Sequence, residues 1–195
     1  MYGGEDRSQN SEYIKQDNEL IAKATRTFGT REHASEGYVE HGFDHYSNNE
    51  FDKSMNRFNQ AWLLNSENPY PYLGFGLLLN IEKQSCEACK MFKLANEKGL
   101  NESGFLADYA YTSSQCAVLK EGNEKKQLFK LSNNLYEAAL QTSNNKLLAY
   151  VYHSWAKSCY LQEDFIKSVE MIKQSKILGG TIDEALLKAL EEQKK

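Results

Sequence analysis

Apolar residues recur at helical spacing along most of the chain. Tyr13, Ile14, Ile21 and Ala24 share one face, which predicts a preliminary helix from Ser11 to about Phe28. Further on, Leu128, Leu131, Leu135 and Ala138 mark one side of an amphipathic helix over 124–141. Tyr152, Trp155, Ala156 and Cys159 fall on the next helix, and Phe165, Ser168, Ile172 and Ser175 on the one after it. A last apolar face, Ile182, Ala185, Leu186, Ala189 and Leu190, follows Thr181-Ile182-Asp183-Glu184, a capping-box pattern that opens a final helix. Glu191 to Lys195 should stay solvated. Breaks fall at Asn65-Ser66-Glu67-Asn68-Pro69, with Pro69 suited to a first helical turn. Gly99, Gly122 and Gly179-Gly180 are expected to be helix stops. Residues 1–10 are expected to form a flexible lead-in.

An internal repeat is superimposed on this periodicity. A shift of 34 residues carries Gly42 onto Gly76, Tyr38 onto Tyr72, Phe58 onto Phe92 and Ala61 onto Ala95. Ser54 falls on Ala88, so a small residue recurs there as well. Small side chains midway along one helix and near the end of the next let two helices approach closely, and aromatic rings fill the wedge between them. One such pair cannot bury its apolar face alone, so successive pairs stack.

The first copy reads Tyr38-x2-His41-Gly42-x2-His45, then Ser54, Phe58 and Ala61; the second reads Tyr72-x2-Phe75-Gly76-x2-Leu79, then Ala88, Phe92 and Ala95. This pattern resembles the tetratricopeptide repeat. The resemblance implies an all-α fold: an α-α superhelix of about four tetratricopeptide-like helix pairs, with an N-terminal extra helix and a C-terminal capping helix. A single domain over 11–195 is expected, with repeats at about 35–68, 69–102, 103–142 and 144–180 and the cap at 181–194. The third copy is stretched. Leu106, Tyr109 and Ala110 take first-helix positions, but Ala138 lies 43 residues beyond Ala95, which predicts longer helices at about 103–120 and 124–141.

Composition narrows the classes of function. In 195 residues, 41% are hydrophobic and 26% charged, as in ordinary globular proteins. No apolar run approaches the roughly 18 residues of a membrane span. A net charge of −4 has the wrong sign for a general nucleic-acid binder. Nucleic acid is therefore not the expected partner; the resemblance implies a protein or peptide, with a homo-oligomer as the alternative.

In the family that the chain resembles, the first helices line a concave groove that grips a peptide or partner helix. Carried over, the groove positions are Glu36, Val39, Phe43 and Tyr46, then Tyr70, Leu73, Leu77 and Asn80, then Ala107, Tyr111 and Ser114, then Tyr150, His153, Lys157 and Tyr160. This set is rich in tyrosine and aliphatic side chains, as recognition surfaces often are. A competing expectation folds the N-terminal helix into the groove and makes these residues core. The cationic clamp that some family members use for acidic tails is missing: its positions hold Val39, Phe43, Gly74, Gly104 and Asp108.

Little in the chain suggests catalysis. His33, His41 and His45, with Glu40 and Asp44 nearby, have spacing that could suit a metal, but His41 and His45 occupy packing positions of the repeat. Cys86-Glu87-Ala88-Cys89 is a Cys-x-x-Cys without the preceding strand of redox enzymes, so structural thiols, or a disulfide to Cys116 if the chain is exported, are expected. Gly74-Phe75-Gly76 lies within a predicted helix, not a phosphate loop, and no hydrolase or zinc-protease motif occurs. A non-enzymatic adaptor without cofactor is the expectation, with self-association or a metal- or thiol-dependent activity as alternatives. The start Tyr2-Gly3-Gly4-Glu5-Asp6 and the run from Arg57 to Asn65 also resemble exported bacterial tetratricopeptide proteins and lipoproteins. That resemblance implies a periplasmic or envelope location if a signal was trimmed, and a cytoplasmic one otherwise.

Overall fold

A computed structural model describes residues 9–142 and 145–193. Most of the expected lead-in, the Tyr2–Asp6 stretch and the last two residues lie outside the described residues. Among the described residues the chain is all-α, with ten helices and no strand. They are α1 Ser11–Phe28, α2 Arg31–Ser47, α3 Phe51–Leu64, α4 Tyr70–Ile81, α5 Ser85–Glu97, α6 Ser103–Val118, α7 Gly122–Thr142, α8 Asn145–Leu161, α9 Phe165–Ile177 and α10 Glu184–Glu192. Eight of them fall in four successive helix pairs, α2/α3, α4/α5, α6/α7 and α8/α9, with α1 before and α10 after. The contacts gather into two compact units, Met1–Glu82 with Lys90–Leu100, and Lys83–Cys89 with Asn101–Lys195.

The first unit is built around aromatic rings that fill space left by glycine. Phe58 is fully buried on α3, and a Cβ added at Gly42 or at Gly74 would come within 2.5 or 2.3 Å of its ring. Phe92 stands in the same relation to Gly76, where an added Cβ would lie 2.1 Å from the ring. These contacts explain why glycine stands at the three positions: any side chain there would displace the phenylalanine. Ala61 and Ala95 are fully buried on the second helices. Phe58 also meets Phe43 and Phe75 edge-on, at 4.9 and 6.3 Å between ring centres.

Serine hydroxyls fasten the first pair internally. Ser54 Oγ donates to the Gly42 carbonyl and Ser35 Oγ to the Ala61 carbonyl, both at 2.8 Å. Arg31 closes the end of α3 by donating to the Leu63 and Leu64 carbonyls, which have no partner within the helix. Helix α1, capped by the Asn10 side chain, buries Ala24 against Ala34 and Leu64, with Leu20, Ile21, Phe28 and Tyr38 packed around them.

The second unit repeats the device with different residues. Ser168 Oγ donates to the Ala156 carbonyl, across the same twelve-residue separation as Ser54 and Gly42. Ser175 Oγ donates to the Ala149 carbonyl across the 26-residue separation of Ser35 and Ala61, but from the second helix to the first. Tyr136 on α7 is fully buried and stacks on Trp155, with ring centres 5.3 Å apart. Its hydroxyl lies 2.9 Å from both Ser154 and Ser158. Burial pushes the phenol pKa far up, against the smaller downward effect of the two serines. A disulfide joins Cys86, in the first turn of α5, to Cys116 near the end of α6.

Several details differ from the sequence expectations. Asp183, not Thr181, caps the final helix, through its carboxylate and the Ala185 amide at 2.9 Å. In α7 the buried line is Ser132, Leu135, Tyr136 and Ala139, whereas Leu128, Leu131 and Ala138 are only partly covered. The rotation of the face follows from seating Tyr136 between Ser154 and Ser158. Most of the extra length of the third pair is in α7, which has 21 residues against 14, 13 and 13 in α3, α5 and α9. Gly122 begins α7 instead of ending a helix. It has φ +55°, and Asn49, Lys83 and Glu163 hold φ 60°, 60° and 62° in the turns of the other three pairs. Each pair thus turns through one left-handed residue, which is glycine only in the third.

Candidate functional site

In the first unit, α2 and the start of α4 enclose a hollow of about 560 Å³ lined by Glu36, Val39, Glu40, Phe43, Asp44, Asn68 and Tyr70. The packing beneath sets its floor. Phe43 leans on Phe58, which the missing side chains of Gly42 and Gly74 allow to sit between the helices. Asn68 is fixed from both ends: its amide donates to Ser35 Oγ at 3.0 Å and its carbonyl oxygen accepts from the Tyr70 amide at 3.0 Å. That second bond satisfies a free amide at the start of α4, where Pro69 and Pro71 already suit the first turn. Tyr70 is held at the rim with 39% of its surface exposed.

Of the residues expected in a groove, Val39, Phe43 and Tyr70 come together here with Glu36. Tyr46 leaves the hollow and packs on Phe51, 5.9 Å between ring centres. Leu73, Leu77 and Asn80 are half-buried along α4. Helix α1 packs on the other side of the pair, with Ala24 against Ala34 and Leu64, and contributes nothing to the hollow's lining.

The second unit treats its corresponding residues differently. Ser114 is fully buried and donates to Ser132 Oγ at 2.8 Å, so it offers no surface. The Tyr150 hydroxyl donates to the Asp108 carboxylate. Desolvation raises the Asp108 pKa, opposed by that hydrogen bond, and raises the Tyr150 phenol too, helped by the Asp108 charge. Lys157 Nζ lies 3.5 Å from the Asp183 carboxylate and 5.9 Å from the centre of the Tyr111 ring. His153 Nε2 accepts from the Asp183 amide at 3.5 Å, and burial, then Lys157, lowers the pKa of its ring. The segment leading into α10 therefore engages His153 and Lys157. No sequence signal marked that contact, because Asp183 serves at once as helix cap and as counter-ion.

Two further hollows were not legible in the sequence. One, of about 610 Å³, lies among α1, α2 and α3 and is bordered mostly by polar residues, among them Asp17, His45, Lys53 and Arg57, whose apolar stems make up much of its wall. Glu50 at its edge contacts both His45 and Lys53 at 2.6 Å, and the Lys53 hydrogen bond is the first cause of the lowered Glu50 pKa. The other, about 390 Å³ between α9 and α10, is apolar and includes Ile166 and Leu190.

The groups considered for chemistry are dispersed. Cys86 is in the disulfide, and Cys89 and Cys159 are buried thiols. Burial raises the Cys159 pKa to about 12, so it carries little thiolate at neutral pH. His33 and His41 are exposed, and His45 faces Glu50. Among the described residues no group of three His, Cys, Asp or Glu side chains is arranged to hold a metal, and no helix is long and apolar enough to cross a membrane.

The geometry defines a helix-pair fold with an apolar, acid-edged hollow between α2 and the start of α4. No protein-family model matches the chain, and no curated protein matches it. Among solved structures the chain is similar to the crystal structure of YrrB, a TPR protein with an unusual peptide-binding site. The identity is 16% and the TM-score 0.43, over 90% of this chain and 98% of that one.

Proposed function

We propose that the chain is a protein-interaction adaptor that holds a peptide or helical segment of a partner on the first-helix face of its first unit. The observation that carries this is the hollow between α2 and α4, where Val39, Phe43 and an exposed Tyr70 converge over a preformed floor. Tyrosine and phenylalanine give large contact area with few rotatable bonds, the composition of interface anchors. Leu73 and Leu77, half-buried three and seven residues beyond Tyr70, fall on the same side of α4 and would lengthen the contact. In the second unit, Tyr111, Tyr150, His153 and Lys157 form a smaller polar face, already partnered within the unit.

The test is affinity on purified components. A photo-crosslinking residue at Tyr70 should capture a partner segment, while one at exposed Lys93 on α5 should not. Phe43→Ala and Leu77→Ala should then weaken binding of that segment about tenfold each with helical content unchanged. Unchanged affinity in both variants contradicts the assignment. A second reading, self-association, is favoured by Ile166 and Ile177, which are 87% and 76% exposed on α9. Sedimentation over a dilution series separates the two: a monomer at every concentration excludes the second.

A further inference from the structure

We propose that the partner segment held in the α2–α4 hollow is basic, with apolar side chains seated on Val39, Phe43 and Tyr70 and Lys or Arg residues set against Glu36, Glu40 and Asp44. This rests on the hollow being the ligand surface, and it adds the chemistry of the ligand.

The three carboxylates follow one another at steps of four residues, so they form a row along α2 with about 6 Å between successive positions. All three are exposed, and all three line the hollow. Among the described residues none of them has an ion pair or a side-chain hydrogen bond, so their charge is not neutralised by a neighbouring lysine or arginine. The row disfavours the helix that carries it. Like charges four apart repel, and Asp44 stands in the last turn of α2, where the helix dipole favours a cation. An arrangement unfavourable for folding, placed beside an apolar hollow with a prepared floor, is accounted for by a cationic ligand that neutralises it.

The alternatives fit less well. A row along a helix does not converge on one point, and no metal-holding group of three is present among the described residues. Phosphates, nucleic acid and anionic lipid would be repelled. A helix or strand with apolar residues on one side and basic ones on the other satisfies both halves of the surface. The charges would speed and orient the encounter while the apolar contacts hold it.

The test uses the full chain and labelled peptides in which leucine alternates with arginine, glutamine or glutamate, followed by fluorescence anisotropy. The leucine–arginine peptide should bind at least tenfold more tightly than the leucine–glutamine one, the leucine–glutamate peptide should not bind, and added salt should erode the difference. The variant E36Q/E40Q/D44N, which relieves repulsion in α2 and should remain folded, should lose that preference. E184Q/E191Q/E192Q, with as many acids removed elsewhere, should keep it. Equal binding of the arginine and glutamine peptides, both weakened by Phe43→Ala, would overturn the charge assignment and leave the hollow standing. Binding of the arginine peptide unchanged in E36Q/E40Q/D44N overturns it as non-specific attraction. Binding of no peptide removes both the charge assignment and the hollow.

Discussion

The first-helix faces of the two units are built on one plan and finished in opposite ways. In the first, α2 and α4 leave Val39, Phe43 and Tyr70 around a hollow with three unmatched carboxylates beside it. In the second, Tyr150 is bonded to Asp108, and Lys157 and His153 are engaged by Asp183 ahead of α10. The serine-to-carbonyl bonds recur in both, so the backbone frame is shared. The difference lies in side chains outside the repeat pattern. A repeat fixes how helices pack; the residues between the packing positions decide whether a face stays open.

The largest expected difference concerns how each unit is packed. Phe58→Ala should cost about 3–5 kcal/mol, because one ring fills the space beside two glycines and the backbone cannot collapse into it. Ile172→Ala, at the equivalent place in the fourth pair, should cost less, nearer 2–3 kcal/mol. Urea unfolding followed by circular dichroism measures both, and a larger loss at Ile172 would break the parallel. Next is the disulfide. Reducing Cys86–Cys116 should remove about 2–4 kcal/mol from the second unit. Hydrogen exchange should then speed up in α6, while α2 and α3 keep their protection.

The units should also separate in alkali. Tyr136 and Tyr150 have phenols whose pKa is raised in the fold, so the unfolded chain releases their protons first. Stability from these groups is complete below the unfolded value, about 10, and is lost as pH rises above it. For the fully buried Tyr136 the loss has a limiting slope of about 1.4 kcal/mol per pH unit, whereas Tyr150, 44% exposed and screened by solvent, adds less. Tyr136→Phe should cost about 1 kcal/mol at neutral pH and remove one phenol's share of that slope. Melting temperatures from pH 8 to 11 test this, and a slope unchanged in Tyr136→Phe would contradict the assignment. The smallest effect is at the turns. Lys83→Gly and Glu163→Gly should each stabilise by about 0.5–1 kcal/mol, because both residues hold a left-handed conformation that glycine adopts freely.

The fold was readable from residues whose size is dictated by geometry. Gly42 and Gly76 stand where a Cβ would strike a phenylalanine ring, and Ala61 and Ala95 are fully buried on the second helices. The groove positions were readable only as places on helices. Nothing in the chain announced that Asp183 would engage Lys157, because one exposed acid among 27 acidic residues has no distinguishing neighbour in sequence. Tyr136 was missed for a related reason. Leu128, Leu131, Leu135 and Ala138 form a cleaner apolar stripe, yet the hydroxyls of Ser154 and Ser158 make a polar-tipped ring the better fit one position away. The left-handed turns at Lys83 and Glu163 were invisible because long charged side chains carry no preference for that conformation.

The most direct measurement is nuclear magnetic resonance mapping of the full chain during titration with the leucine–arginine peptide. Saturable shifts centred on Val39, Phe43 and Tyr70, with Tyr111, His153 and Lys157 unmoved, are the predicted result. Shifts centred on those three residues of the second unit, or spread evenly over both units, would contradict the account.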